Sequence, residues 1–195
     1  MTITGFEKQS LAFGSITALA AEATIAANAD TDWFYEPYGK SRRQNVPRLA
    51  RQIDAPVFSL QAKVAPIFAS SYDAGALFVE TSAAAWGKLA FEYSPQQLPT
   101  IVSVITNSTS DDSDGPRLDA EFAYLRLYAE NGVFAFHFSS DGKYWRFLRW
   151  FALPLGSGPL TIGMSSQSPT GNGCLARFSE VELRFDKIEN LRDGR

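Results

Sequence analysis

The residues best suited to chemistry in this sequence occupy one short run in which polar and apolar positions alternate. Leu89 and Phe91 are apolar, whereas Trp86, Lys88 and Glu92 occupy even positions. Because side chains two residues apart in a strand share a face, the run predicts a strand with Leu89 and Phe91 against a core. Its other face then presents an aromatic ring, an ammonium group and a carboxylate. Such groups hold sugars, since the ring stacks on a C–H face while the charges bind hydroxyls.

Three more polar residues are predicted to extend this open face on other strands. Tyr124 and Arg126 alternate with apolar residues in one run, and His137 alternates with phenylalanines in another. A ligand-binding face is one interpretation of the set. The other is an amphipathic sheet face on which the lysine, glutamate and arginine pair with one another, and the sequence favours neither.

Arg149 is the last candidate for ligand binding, and its position is unusual. It shares strand parity with Trp145, Phe147 and Phe151. A guanidinium group among aromatic rings is costly unless it is paired or stacked. Either Arg149 reaches a carboxylate, for which Glu92 and Asp73 are the candidates, or its row faces a ligand. Both alternatives stay open at the level of sequence.

Catalytic and metal sites are not indicated. The chain has one cysteine and one histidine, too few for a zinc site, and it has no Gly-x-Ser-x-Gly nucleophile motif. The acidic stretch Ser108–Gly115 lacks the spacing of an EF-hand and is interpreted as a solvated loop, with a calcium site as the weaker alternative. Glu180 and Glu182 have the spacing of paired carboxylates but no aromatic neighbour for a sugar. We therefore predict no catalytic residue, no metal and no cofactor.

Composition excludes some partners. The 195 residues carry a formal net charge of −3, which argues against binding to nucleic acid or to anionic membranes. A single cysteine gives no sign of an oxidising compartment, so the default location is cytoplasmic. The alanine-rich segment Leu11–Ala29 is too polar to span a bilayer and is interrupted by Glu22. It is predicted to be a first strand rather than a signal peptide.

Alternating runs separated by turn residues predict many short strands. Asn131-Gly132 predicts a tight hairpin, because this pair suits two successive positive φ angles. Near the end, the inward phase slips by one residue around Ser179-Glu180, which predicts a β-bulge and then places Phe185 inward. The charged segment Asp186–Arg195 is expected to fray. The predicted core comprises Phe58, Leu60, Leu77, Leu89, Phe91, Leu125, Leu127, Phe136 and Phe138.

The order and spacing of several motifs make a family resemblance fairly specific. These motifs are Thr31-Asp32-Trp33, Tyr72-Asp73-x-x-x-Leu77, residues 86–93, Val102–Thr106, Ser110-Asp111, Asp141-Gly142-x-x-Trp145-x-x-x-Arg149 and Ser168-Pro169-x-Gly171-x-Gly173. Together they resemble the family named for regulation of enolase, the DUF1349 group, from about Asp30 to Leu183. One departure is Asp112, which stands where that family usually has an aromatic residue.

The resemblance implies an all-β, concanavalin A-like jelly-roll sandwich of two curved antiparallel sheets, whose concave sheet commonly holds carbohydrate. It implies no reaction. We expect one domain over residues 1–195, with its core from about residue 10 to 186 and a charged tail at 187–195.

Two functional hypotheses follow from the open face and the resemblance. The first is a non-catalytic binding or regulatory protein for a carbohydrate-like ligand or for a metabolic-enzyme partner, such as a glycolytic enzyme. The alternative is a glycoside hydrolase or lyase with Glu92 as acid or base. The alternative needs a second carboxyl within about 5–10 Å of Glu92 across an open cleft.

Overall fold

The computed structural model describes residues 3–156 and 158–195, and these residues form two large antiparallel sheets. Sheet A has the spatial order β1 (Glu7–Gln9), β6 (Arg48–Ile53), β15 (Leu160–Gln167), β8 (Ala74–Ser82), β9 (Ala85–Tyr93), β10 (Pro99–Asn107) and β11 (Thr109–Arg117). Sheet B has the order β14 (Arg146–Ala152), β13 (Val133–Ser139), β12 (Ala123–Glu130), β7 (Val57–Pro66), β16 (Gly173–Arg184), β3 (Glu22–Asn28) and β2 (Gly14–Leu19). A separate hairpin joins β4 (Trp33–Tyr35) to β5 (Arg42–Gln44).

Helix is confined to one 3₁₀ turn at Leu11–Phe13 among the described residues. The alanine-rich segment predicted to be a strand forms β2 and β3. Buried positions alternate with less buried ones along β3, because one side of the strand packs on the core. Alanine and isoleucine occupy the buried positions. No helix in the described ranges is long and apolar enough to cross a membrane.

The main core lies between the two sheets, and the predicted core is confirmed. All nine predicted residues are buried in one hydrophobic cluster. Leu89 and Phe91 contribute from sheet A, whereas Leu60 and Leu125 contribute from sheet B. The period-two alternation predicted the core residues correctly, because each strand turns one face to the opposite sheet.

The predicted hairpin and bulge are confirmed by backbone geometry. Asn131 and Gly132 have φ angles of 50° and 81°, as a tight β12–β13 turn requires. The pairing of β16 with β7 shifts register between Ser179 and Glu182, and Glu180 has a φ of 53°. The inward placement of Phe185 is wrong, because β16 ends at Arg184 and the phenylalanine is exposed.

The acidic stretch Ser108–Gly115 is not a loop, contrary to the prediction. Residues from Thr109 onward form β11, which pairs with β10 and is the edge strand of sheet A. The ladder to β10 satisfies the backbone, and charged side chains suit an edge that must not pair with another chain. Low strand propensity was therefore overridden by tertiary pairing.

The charged tail is also not frayed. It folds onto the outer face of sheet B, where Ile188 is buried beside Tyr128 and Ala135. Arg126 Nη1 donates to the carbonyl of Gly194 at 2.8 Å. Buried apolar contact and satisfied carbonyls together fix this segment.

A glycine in the middle of sheet A gives a test of the packing. A Cβ at Gly163 would overlap the backbone oxygen of Leu49 and lie 2.9 Å from the ring of Phe78. We expect Gly163→Ala to lower the free energy of unfolding by about 1–3 kcal/mol, because a strand carbonyl cannot move aside freely. Urea denaturation measures this.

Gly158→Ala is the matched control, since no described atom lies within 4 Å of the Cβ it would add. It should change stability by less than about 0.5 kcal/mol. Equal stability of Gly163→Ala and the wild type would contradict the close approach.

Candidate functional site

The outer face of sheet A, which points away from the main core, carries rows of polar and small apolar side chains. Lys88 of β9 pairs with Val104 of β10, which pairs with Asp112 of β11. One row along the same face, Val102 pairs with Asp114. Strand alternation therefore places a lysine, two valines and two aspartates on one surface.

The β4–β5 hairpin covers one half of this outer face with aromatic side chains. The ring of Trp33 lies 5.0 Å from Phe78 and 4.9 Å from Trp86, between centroids. Tyr35 approaches Trp86 edge-on at 5.7 Å. Trp33 and Trp86 are fully buried as a result. This half of the face is a second hydrophobic core rather than an open surface.

An ion pair lies beneath the hairpin, on the covered half of the outer face. Arg48 Nη1 lies 2.7 Å from Glu80 Oε2, and Gln44 Nε2 donates to the other carboxylate oxygen at 3.0 Å. The Arg48 guanidinium also stacks over Trp33 at 5.0 Å. Because both charges are paired and shielded, we assign them to holding the hairpin in place.

The other half of the outer face is open and forms a cavity of about 660 Å³, which we call the outer-face cavity. Strand residues of sheet A form the floor of the cavity. Its rim is formed by the β4–β5 hairpin, by the loop before β8 and by the loops after β9 and β15. The floor and rim residues are Lys88, Glu92, Val102, Val104, Asp112, Asp114, Gln167, Asp32, Phe34, Ser41, Arg43, Tyr72, Pro95, Gln96, Pro169 and Thr170.

Lys88 is held at the floor by an amide rather than by a carboxylate. Its Nζ donates to Gln167 Oε1 at 2.7 Å, and Gln167 Nε2 donates to the carbonyl of Tyr72 at 3.2 Å. Only 2% of Lys88 is exposed. No carboxylate lies within ion-pair distance of this ammonium group among the described residues.

Glu92 is the most perturbed acid of the site. It is 8% exposed and has neither a hydrogen bond nor an ion pair with any described residue. The pKa of Glu92 is raised to about 8, mainly by burial; the Lys88 ammonium opposes the rise, and the carboxylates of Asp32, Asp114 and Asp112 contribute to it. At neutral pH the carboxyl is therefore mostly protonated.

Two of the residues predicted from sequence to bind a ligand, Lys88 and Glu92, meet in the outer-face cavity. Trp86 lies on the same strand face, as the alternation predicts, but under the hairpin. It cannot stack on a sugar in this structure, because Trp33 and Tyr35 already occupy its ring surface. The residues around Trp86 in sequence give no sign that the β4–β5 hairpin covers its ring.

Tyr124, Arg126 and His137 do not join this face, so the prediction of one common face is wrong. They lie on β12 and β13 of sheet B, on the side under the tail. His137 Nε2–H donates to the carbonyl of Leu191 at 2.7 Å, and burial lowers the pKa of His137. Parity identifies the outward side of a strand but not the sheet to which the strand belongs.

The remaining interactions of these residues are internal. Arg126 stacks over Trp145 at 3.7 Å and donates from Nε to Gln61 Oε1 at 3.1 Å. Tyr124 donates its hydroxyl to Glu180 Oε1 at 3.0 Å. These contacts differ from the amphipathic-face alternative, in which Lys88, Glu92 and Arg126 pair with one another, because Arg126 and Tyr124 bind other residues of sheet B and the tail.

Arg149 takes neither of the two positions considered for it. Its Nη2 lies 3.0 Å from Asp111 Oδ2, and its Nη1 donates to Ser103 Oγ at 3.3 Å. It therefore bridges the edges of the two sheets and contacts neither Glu92 nor Asp73. The Asp73 carboxylate accepts from Ser168 Oγ at 2.6 Å and from two backbone N–H groups instead.

Several cavity residues were missed by sequence reasoning. Asp112 and Asp114 were assigned to a loop, although their two-residue spacing is the signal of a shared strand face. Gln167 and Tyr72 reach the cavity from chain segments distant in sequence; no local pattern marks Gln167, and Tyr72 stood within a motif without an assigned role. Asp32 stood within a motif but carried no assigned role.

Trp86 tests the division of the outer face into a covered and an open half. We expect Trp86→Ala to lower the free energy of unfolding by about 3–5 kcal/mol, because the ring is fully buried between aromatic neighbours. Trp150→Ala, which removes a 58% exposed ring from β14, is the control and should cost less than about 1 kcal/mol. Chemical denaturation compares them, and equal small losses would mean that the hairpin does not cover Trp86.

Glu92 predicts an unusual dependence of stability on pH. Its pKa is raised from 4.5 to about 8 on folding, so the folded state binds the proton more tightly than the unfolded state. The contribution of this proton to the free energy of unfolding is then fully present below about pH 4.5, and it is lost as the pH rises toward 8. Relative to Glu92→Gln, the wild type should lose more than about 2 kcal/mol across this window.

Urea denaturation at intervals of pH measures this difference. Glu7→Gln removes an exposed carboxylate from β1 and is the control for loss of one negative charge. A constant difference between wild type and Glu92→Gln from pH 4.5 to 8 would show that Glu92 is not buried as described.

Comparison with solved structures shows the fold. A functionally unknown protein from Saccharomyces cerevisiae is 25% identical, with a TM-score of 0.86 over 96% of this chain and 100% of that one. A xylan beta-1,4-xylosidase from Bacillus halodurans is 12% identical, with a TM-score of 0.67 over 91% of this chain but 39% of the enzyme. A legume lectin-like domain from Entamoeba histolytica is 12% identical, with a TM-score of 0.60 over 95% of this chain and 92% of the domain.

The predicted fold class is thereby confirmed as a concanavalin A-like jelly-roll sandwich of two antiparallel sheets. No curated protein matches the chain. The sequence does match a family over residues 15–185, which is most of its length, and the chain belongs to that family, described as a protein of unknown function (DUF1349).

Proposed function

We propose that this protein binds a carbohydrate-like ligand in the outer-face cavity without transforming it. The observation that carries the proposal is the combination of hydroxyl-binding groups and apolar side chains around one cavity on a jelly-roll sheet. Lys88 and Gln167 provide an ammonium and an amide, while Asp112 and Asp114 provide carboxylates. Such groups bind sugar hydroxyls through charge-assisted hydrogen bonds.

The apolar part of the cavity fits the less polar faces of a sugar ring. Val102 and Val104 form its floor, and Phe34 and Tyr72 contribute aromatic rings at the rim. Aromatic rings pack on the C–H faces of sugars while the hydroxyls point to polar walls. A volume of about 660 Å³ lies within the usual range of small-molecule sites.

A glycoside hydrolase is the second candidate, and one observation favours it. Glu92 is protonated at neutral pH and shares its cavity with Asp32, Asp112 and Asp114, so a general acid and a carboxylate are both present. Binding without turnover is placed first because Asp112 and Asp114 are exposed on an edge strand, with no described partner that would orient them as a nucleophile or base.

Contact with a glycolytic enzyme, which the family resemblance implied, stays a prediction. No described surface favours that partner over a small ligand.

Ligand-observed NMR with a panel of disaccharides tests the proposal. The panel includes xylobiose, because a distant structural neighbour is a xylosidase. We expect at least one sugar to bind, and Val102→Phe to abolish its binding by filling the cavity floor. Because Val102 is only 4% exposed, the variant is titrated below its own melting transition, which is measured first. Val133→Phe, the same substitution on the exposed end of β13, should leave binding unchanged.

The outcomes separate the two candidates. Binding without new reducing-end signals supports a binding protein, whereas product signals that vanish in Glu92→Gln support the hydrolase. Absence of any sugar binding across the panel, or binding that survives Val102→Phe, would contradict the proposed function.

A further inference from the structure

The carboxyl groups around the outer-face cavity outnumber the cationic groups. Four acids line it, namely Glu92, Asp32, Asp112 and Asp114, against the cations Lys88 and Arg43. Arg43 is already engaged, since its Nη2 lies 2.7 Å from Asp30 Oδ1 at the rim. The ammonium of Lys88 donates to the neutral amide of Gln167. The cavity therefore presents spare negative charge to a ligand.

Glu92 adds an independent observation at the floor of the cavity. It is more than nine-tenths buried, yet no described residue donates a hydrogen bond to it or forms an ion pair with it. Such burial removes most of the hydration of the carboxyl group, and no protein donor replaces the water that is lost. Asp73 is an acid with a structural role and differs in this respect, since it is also buried but accepts three hydrogen bonds.

A bound ligand can supply the missing donor. A hydroxyl group would donate one hydrogen bond to Glu92. An ammonium group would donate a charge-assisted bond and also offset the repulsion among the surrounding carboxylates, which a hydroxyl cannot do. The acids on β11 and before β4 thus favour a cationic group over a neutral one at the position that Glu92 faces.

We propose that the ligand of the outer-face cavity is an amine-bearing sugar, whose ammonium group binds Glu92 while its hydroxyl groups bind Asp112, Asp114 and Lys88. This inference rests on the proposed function, because it specifies the sugar class for the same cavity. The ring places one amine and several hydroxyls within one molecule, which matches one buried carboxyl surrounded by exposed polar groups.

Binding of an ammonium group should release a proton. The free protein holds Glu92 protonated at about pH 6, because its pKa is about 8. A cation beside the carboxyl favours the ionised form, so the proton leaves when the ligand binds. Affinity then rises with pH from about 6 until the ligand amine itself begins to lose its proton. The other charged side chains that line this cavity are Lys88, Asp32, Arg43, Asp112 and Asp114.

Three disaccharides with the same β-1,4-linked glucose skeleton form a matched set of probes. Fully deacetylated chitobiose has ammonium groups at carbon 2, N,N′-diacetylchitobiose has acetamido groups there, and cellobiose has hydroxyl groups. Isothermal titration calorimetry at about pH 6, in buffers of different ionisation enthalpy, gives both affinity and protons released. The proteins are the wild type, Glu92→Gln, Val102→Phe and the charge control Glu7→Gln.

We expect chitobiose to bind the wild type at least about tenfold more tightly than cellobiose, as an ion-assisted hydrogen bond implies. It should release close to one proton per ligand. Glu92→Gln should remove both the preference and the proton release, because glutamine keeps the shape but cannot ionise. Glu7→Gln should retain both.

Each other outcome overturns a defined part of the argument. Equal or tighter binding of cellobiose to the wild type would overturn the amine inference and leave the proposed function standing. A chitobiose preference that persists in Glu92→Gln or Val102→Phe would assign it to general attraction by an acidic protein. Failure of all three sugars and of the wider disaccharide panel would overturn the proposed function, and the inference with it.

Discussion

The arrangement of this protein depends on the burial of both faces of sheet A. One face packs on sheet B in the manner of any sandwich, and the other is half covered by the β4–β5 hairpin through Trp33. Contact between Trp33 and Trp86 fixes where the covered half ends. Because the hairpin covers only that half, Lys88 and Glu92 are left at the floor of a cavity instead of within a core. Aromatic packing therefore sets both the stability of the sheet and the location of the candidate site.

The charges of the floor follow from this partial cover. Lys88 and Glu92 are four residues apart on one strand, and the lysine reaches toward Gln167 on β15 instead of forming an ion pair with the glutamate. A buried Lys–Glu ion pair would have used up both groups, since each charge would satisfy the other. The amide keeps the ammonium in place without neutralising it. The result is a floor with one fixed cation and one protonated acid, a pattern that structural stability alone does not require.

Much of the fold was predictable from sequence, but the site was predictable only in part. Alternation in β7, β9 and β12 identified the core because those strands are covered on one side by the opposite sheet. The same signal put Tyr124 and His137 on the face of Glu92, because parity carries no information about which sheet a strand joins. Trp86 was correctly oriented and wrongly called open, since its cover comes from a hairpin some fifty residues earlier. Long-range cover, unlike alternation, leaves no local pattern.

Strand β11 combines two demands that usually conflict. As the edge of sheet A it must not pair with another chain, and its aspartates discourage such pairing. As a wall of the outer-face cavity it supplies Asp112 and Asp114 on one side, while Asp111 on the other side holds Arg149 of the opposite sheet. Alternation separates the two tasks: Asp111, at an odd position, ties the sandwich edges together, whereas Asp112 and Asp114, at even positions, face the cavity. The acidic run that was predicted to be a solvated loop is therefore a strand, because pairing with β10 fixes its register; one side of it contacts the opposite sheet and the other faces the cavity.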